Sequence, residues 1–170
     1  MQSRFSDILP LAPLQEGLLF HALYDEEGPD VYIVQVALEL DGPLDPDRLR
    51  TAAETLLTRH PHLTACFLTR TNGQPIQVIP THTTLPWHDT TLNDLQDLPH
   101  TLAEARTQRF DMTTPPLLRY TLIHHPHTKT QNQNHTDGIH TTHRHTLALT
   151  IHHILLDGWS MPILIRELLT

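Results

Sequence analysis

Cysteine is almost absent, with Cys66 the single thiol in 170 residues. One cysteine excludes an internal disulfide framework and fits a reducing compartment. Its setting, Thr64-Ala65-Cys66-Phe67-Leu68, reads as a core strand, which favours a packed thiol over a nucleophile. Positive charge is scarce as well. Lys and Arg number 11 against 19 Asp and Glu, giving a formal charge of -8, which opposes attachment to a phosphate backbone and makes nucleic acid an unexpected partner. No run approaches the roughly 18 uninterrupted apolar residues of a membrane span. The opening segment is broken by Asp7, Glu16 and prolines, so no signal peptide is evident. A soluble, cytoplasmic chain without membrane contact is expected. No repeat or linker divides it, and 38% hydrophobic residues over this length are enough for one buried core.

What is present alternates between strand and helix patterns. From Val31 to Leu40, Tyr32, Val34, Val36, Leu38 and Leu40 share one face and Gln35 and Glu39 the other, the period of a strand. Asp45 then stands as an N-cap with Pro46 at the first helical position, and Leu49, Ala52, Ala53, Leu56 and Leu57 carry an amphipathic helix to about Arg59. Residues 63–69 and 75–79, separated by Thr71-Asn72-Gly73, read as a hairpin. A polar stretch surrounds Trp87. A second helix begins near Pro99, with Leu98, Leu102 and Ala105 on one stripe, and ends before Thr113-Thr114-Pro115-Pro116. Strands are expected at 117–123 and 146–152, and a last helix at about 160–169 with Met161, Leu164, Ile165 and Leu168 on one face. The interleaving defines an α/β or α+β class. The last helix stops at Thr170 with neither a Gly cap nor a breaker, so the expectation is a piece of a longer chain.

Between the strands at 117–123 and 146–152, residues 124–145 are rich in His, Thr, Asn and Gln and have no periodicity. A long hairpin loop is expected there. Its histidines, His124, His125, His127, His135, His140, His143 and His145, invite a metal reading. The spacing matches no closed zinc site and no cysteine helps, so a solvated low-complexity insertion is favoured and no metal is assigned.

The segment Thr146 to Leu168 carries the chemistry: a strand runs into His152 and His153, then an Asp157-Gly158 turn, then a helix. Strand parity puts His153 with Leu147, Leu149 and Ile151, and His152 with Ala148 and Thr150, so the two histidines have different roles. Burial at a strand end favours a neutral imidazole able to accept or relay a proton, which makes His153 a candidate for chemistry, although a satisfied buried histidine is the default for that residue taken alone. His152, facing away, is read as a packing and hydrogen-bonding residue. Asp157 is placed to fix the turn by pairing with a cation or accepting backbone N–H bonds. Gly158 allows a backbone conformation or close approach that a side chain would block. Trp159 either lines a substrate channel or packs beneath the last helix. Gln15, Glu16 and His21 are candidates to face substrate, although Leu14 and Leu18 argue that much of their helix is core.

His152, His153, Asp157 and Gly158 reproduce the HHxxxDG signature. Residues 9–23, LPLAPLQEGLLFHAL, are similar to the first core motif of nonribosomal peptide synthetase condensation domains, and residues 59–67, RHPHLTACF, to their RHxxLRxxF motif. The chain therefore resembles the amino-terminal half of a condensation domain, in the chloramphenicol-acetyltransferase-like superfamily. Thr64 departs from the pattern, standing where the family often has a second arginine. The form PLxPLQEGxLFH is similar to the subclass whose donor ends in a D-configured residue.

The resemblance implies an α+β two-layer sandwich forming one lobe of a two-lobed, V-shaped domain with a tunnel between the lobes. It implies amide formation between a donor thioester and an acceptor amine, both presented on phosphopantetheine arms of carrier proteins, with no cofactor bound directly. Expected partners are upstream and downstream carrier domains, the carboxy-terminal lobe and an adjacent adenylation domain. His153 would hold or deprotonate the amine, Asp157 would be structural with Arg59 as an ion-pair partner, and Gly158 would lie close to the reacting carbonyl. Other readings are a freestanding acyltransferase of the same superfamily acting on an alcohol or amine, an inactive truncated fragment, and, weakest, a metal-binding module.

Overall fold

The computed structural model describes residues 4–24, 28–126, 128–130 and 140–170. Its centre is a four-stranded sheet in the order β2-β9-β6-β5, formed by β2 (Ile33–Asp41), β9 (Arg144–His152), β6 (Leu118–His124) and β5 (Trp87–Thr91). β9 is antiparallel to both β2 and β6, whereas β5 runs parallel to β6. A second sheet holds β1 (Phe5–Pro10), β4 (Pro75–Pro80) and β3 (Cys66–Thr69) in the order β1-β4-β3. A short pair joins β7 (Thr128–Thr130) to β8 (His140–Thr142). The helices are α1 (Pro13–Tyr24), α2 (Pro46–Arg59), α3 (Leu98–Thr107) and α4 (Ser160–Leu169).

The alternation in β2 is realised as expected. Val34, Val36 and Leu38 sit opposite Ile151, Leu149 and Leu147 on one sheet face, while Gln35 and Ala37 sit opposite Thr150 and Ala148 on the other. The first face buries against α2 and α4 through Leu49, Ala53, Leu56, Met161, Leu164 and Leu168, giving one continuous core. Apolar area removed from water at about 25 cal/mol per Å2 is the main favourable term in such packing. Across the second face lies α3, tied down where Gln35 donates to the Leu102 carbonyl at 3.0 Å and Arg119 to that of Ala105. The architecture is an α+β lobe, with two helices on the core face and α3 on the other.

Local signals explain the boundaries. Asp45 caps α2 by accepting the Arg48 amide at 3.0 Å, and Pro46 fills the first position, where no N–H is needed. The β3–β4 hairpin turns at Gly73, whose φ of 83° is left-handed and suits glycine. β1 and β5 were not anticipated. β1 is short, exposed along its length and bounded by Pro10, and β5, Trp87-His88-Asp89-Thr90-Thr91, has no apolar alternation because it is an edge strand with largely exposed residues.

Of the loop expected over 124–145, residue 127 and residues 131–139 lie outside the described residues, so His127 and His135 do too. The ends of that segment are strand: His124 and His145 face each other across the β6–β9 ladder. Their Nδ1 atoms approach to 2.8 Å, and His124 Nε2 lies 2.8 Å from Asp89 Oδ1. Among the described residues no group of three or more His, Cys, Asp or Glu is placed to hold a metal ion, and no helix is long and apolar enough to cross a membrane. Cys66 is buried, and burial followed by the charge of Asp111 pushes its thiol pKa up. That suits packing and not nucleophilic attack.

Candidate active site at the end of the central strand

β9 is flanked by strands on both sides, so its successive amides point to opposite neighbours. The sequence-adjacent histidines are separated by this geometry. The His152 amide donates to the Leu117 carbonyl at 2.9 Å, whereas the His153 amide donates to the Tyr32 carbonyl at 2.8 Å. Their side chains follow suit. His152 lies on the α3 side, opposite Ile33, with 0% exposure. His153 is half-buried and faces a cavity of about 530 Å3 together with Val34, Ile151, Leu156, Asp157, Gly158, Met161, Pro162, Ile165 and Arg166. The walls are mainly apolar, and the imidazole, carboxylate and guanidinium are their ionisable groups.

His152 is held in a closed polar setting. Its Nδ1 accepts the Ile154 amide at 3.1 Å, so the ring proton belongs on Nε2, which lies 3.3 Å from Asp30 Oδ2. Burial lowers the His152 pKa and outweighs the opposing pull of Asp30, so the ring is neutral near pH 7. Asp30, with its side chain 3% exposed, also accepts the Tyr32 amide through Oδ1 at 2.9 Å. Arg109 braces this corner by donating to the Gly28 and Ala22 carbonyls. Neither Asp30 nor Arg109 was singled out from sequence. Both lie far along the chain from the histidines, and no local spacing marks them.

Asp157 does not pair with Arg59. Its Oδ1 accepts the Ser160 amide at 2.9 Å and the Ser160 hydroxyl at 2.8 Å, and these bonds hold its pKa below the usual carboxylate range. Arg59 instead reaches Glu167 on α4 at 3.3 Å, beside His60, whose Nε2 is 2.8 Å from the same oxygen. The reason is positional: α2 packs alongside α4, so the end of α2 meets the last turn of α4, while Asp157 precedes its first turn. Of the two roles expected for Asp157, accepting a backbone N–H is the one present.

Gly158 has no positive φ, and a Cβ built on it would meet nothing within 4 Å. Neither backbone conformation nor a neighbour in these residues requires glycine there. Trp159 is 88% exposed and is absent from the cavity wall, so it neither lines that cavity nor packs beneath α4. Gln15 is turned inward. Its Nε2 donates to Gln77 Oε1 at 3.1 Å and to the Ile154 carbonyl at 3.2 Å, fastening α1 to β4 and to the turn after the histidines. On the same helix Leu18 is buried, but Leu14 is 70% exposed.

Residues 5–170 match the family model described as the condensation domain. The chain belongs to that family. It is 32% identical over 167 residues to a linear gramicidin synthase of Brevibacillus parabrevis, covering 95% of this chain and 2% of that protein. With chondramide synthase of Chondromyces crocatus it shares 30% identity over 202 residues, covering 94% and 5%. The chain thus spans a small fraction of the length of these relatives. Its fold matches the first condensation domain of the calcium-dependent antibiotic synthetase, solved with a substrate analogue, at a TM-score of 0.75 and 24% identity over 96% of this chain and 36% of that one. It also matches a four-domain nonribosomal peptide synthetase bound to AMP and glycine, at a TM-score of 0.76 and 20% identity over 99% and 12%.

Proposed function

We propose that these residues form the amino-terminal lobe of a condensation domain that joins a carrier-bound donor thioester to a carrier-bound acceptor amine in nonribosomal peptide synthesis. The observation that carries the reading is the position of His153 on the wall of an apolar cavity beside the unobstructed backbone at Gly158. An attacking amine held by His153 can lose its proton there as the C–N bond forms. The C–S bond then breaks, and the departing phosphopantetheine thiolate recovers a proton. Positioning and proton handling are the main contributions such a site makes.

The lobe would supply one wall of a tunnel in a two-lobed, V-shaped domain, and the carboxy-terminal lobe the other. Carrier domains would deliver both substrates on their phosphopantetheine arms, with an adenylation domain in the same cytoplasmic assembly. No cofactor needs to bind the lobe itself, because the activated carbonyl arrives as a thioester. Asp157 shapes the turn that leads from His153 into α4, and Gly158 leaves room for the reacting carbonyl.

The test is His153→Ala in the full-length protein that carries these residues, with amide product followed by mass spectrometry after both carriers are loaded. Loss of about two or more orders of magnitude, the usual weight of a proton-handling group, is expected with the fold intact. Retention of most of the activity would remove His153 from the reaction centre.

A further inference from the structure

The segment preceding β2 touches both histidines. Asp30 presents Oδ2 to the Nε2 of His152 at 3.3 Å, and its Oδ1 accepts the Tyr32 amide at 2.9 Å. The Tyr32 carbonyl in turn accepts the His153 amide at 2.8 Å, and the Asp30 carbonyl accepts the Ile33 amide at 3.2 Å. One carboxylate, one turn and two consecutive histidines therefore form a closed loop of contacts.

We propose that Asp30 is a positioning residue for the reaction centre, reinforcing by its charge the Nε2–H tautomer of His152 that the Ile154 amide selects and fixing, through Tyr32, the backbone on which His153 stands. This rests on the reading of His153 given above. A carboxylate and an imidazole this deeply buried are expensive to desolvate, and such groups persist where their partners are specified. Here the specification is complete on one side of the ring: the Ile154 amide requires Nδ1 to be an acceptor, so Nε2 must carry the proton and needs a negative neighbour. The Nε2 to Oδ2 approach is not aligned as a hydrogen bond, so Asp30 acts on the ring by charge and dipole. The Ile154 amide belongs to the residue directly after His153. A change of tautomer at His152 would set two N–H groups against each other there and displace the turn that carries the reacting imidazole.

Two measurements on the full-length protein test this. Selective 15N-histidine labelling of the unaltered protein is expected to report His152 with Nε2 protonated and Nδ1 bare at neutral pH. An Nδ1–H tautomer would overturn the proposal whatever the variants do. Asp30→Asn keeps an oxygen for the Tyr32 amide but removes the charge facing His152. It is expected to lower kcat by about ten- to a hundredfold, the range found for partners that orient metal-bound histidines, with KM unchanged and the loss exceeding any fall in folded protein. Unchanged kcat would sink the idea, as would a loss that merely tracks unfolding. If Asp30→Asn does not fold, Asp30→Glu, which keeps the charge, is expected to hold kcat within a few-fold when its folded fraction is normal, and a loss of about a hundredfold there would overturn the proposal. His153→Ala assayed beside it separates the two readings. An inactive His153→Ala with a fully active Asp30→Asn defeats this inference alone, whereas an active His153→Ala defeats the functional reading.

Discussion

Ser160 gives both its amide and its hydroxyl to a single oxygen, Asp157 Oδ1, at 2.9 and 2.8 Å. The pair closes the turn between the histidines and α4, and it reinforces the longer bond, 3.2 Å, that the same amide gives to the Asp157 carbonyl at the helix start. Asp157→Ala should therefore lower the melting temperature and the activity together, while Asp157→Asn, which keeps an oxygen acceptor, should retain most of both. Arg59→Ala should leave the effect of Asp157→Ala unchanged, because Arg59 bonds to Glu167 instead. Thermal melts of the single and double variants decide this, and an unaltered melting temperature for Asp157→Ala would count against the architectural role. The lowered pKa of Asp157 sets the sign with pH. Its contribution is full above the ordinary carboxylate range and is lost as pH falls through the lower folded value.

Gly158 separates chemistry from folding. A methyl group there meets nothing within 4 Å and no left-handed φ has to be kept, so Gly158→Ala should leave the melting temperature unchanged. If the reacting carbonyl passes this backbone, the same methyl displaces it, and displacement of the order of 1 Å can cost up to about a hundredfold in rate. Full activity in a stable Gly158→Ala would mean that the substrate does not approach this backbone.

The parts of this arrangement that were legible in the sequence are those written locally. The cap at Asp45, the alternation in β2, the hairpin around Gly73 and the opposite facing of His152 and His153 all depend on residues within a few positions of one another. What was not legible depends on packing. β5 became a strand because β6 offers it a parallel edge, not because its own residues alternate. Arg59 finds Glu167 because α2 and α4 lie side by side. Asp30 reaches His152 from more than a hundred residues away, through a pairing register that only the folded sheet defines.

The core face of α4 offers a conventional stability test. Leu164 is 5% exposed and belongs to the cluster that joins α4 to the sheet and to α2. Leu164→Ala should lower unfolding free energy by about 2–5 kcal/mol, the range for removing a buried leucine side chain. Urea denaturation measures this directly. A change under about 0.5 kcal/mol, the size seen at exposed positions, would mean that α4 is not docked on the sheet in solution.

His152 makes stability fall on mild acidification. Burial lowers its pKa below the ordinary value of 6.5, so the folded chain binds this proton less readily than the unfolded one. For a depressed folded pKa the contribution is fully present above 6.5 and declines as pH drops below it toward the folded value. His62 and His145 are shifted the same way, also by burial first, so the slope has several sources. Of these three, His152 is the most deeply buried, with its side chain 0% exposed. The expected result is a melting temperature that is flat from pH 8 to about 7 and falls from about 6.5 to 5.5, the range in which histidine titrates. His152→Gln should start lower and fall less steeply over that range, because the group that resists protonation is gone. Parallel curves for the two proteins would mean that His152 is accessible to protons in the folded state, and the buried contact with Asp30 would then have to be abandoned.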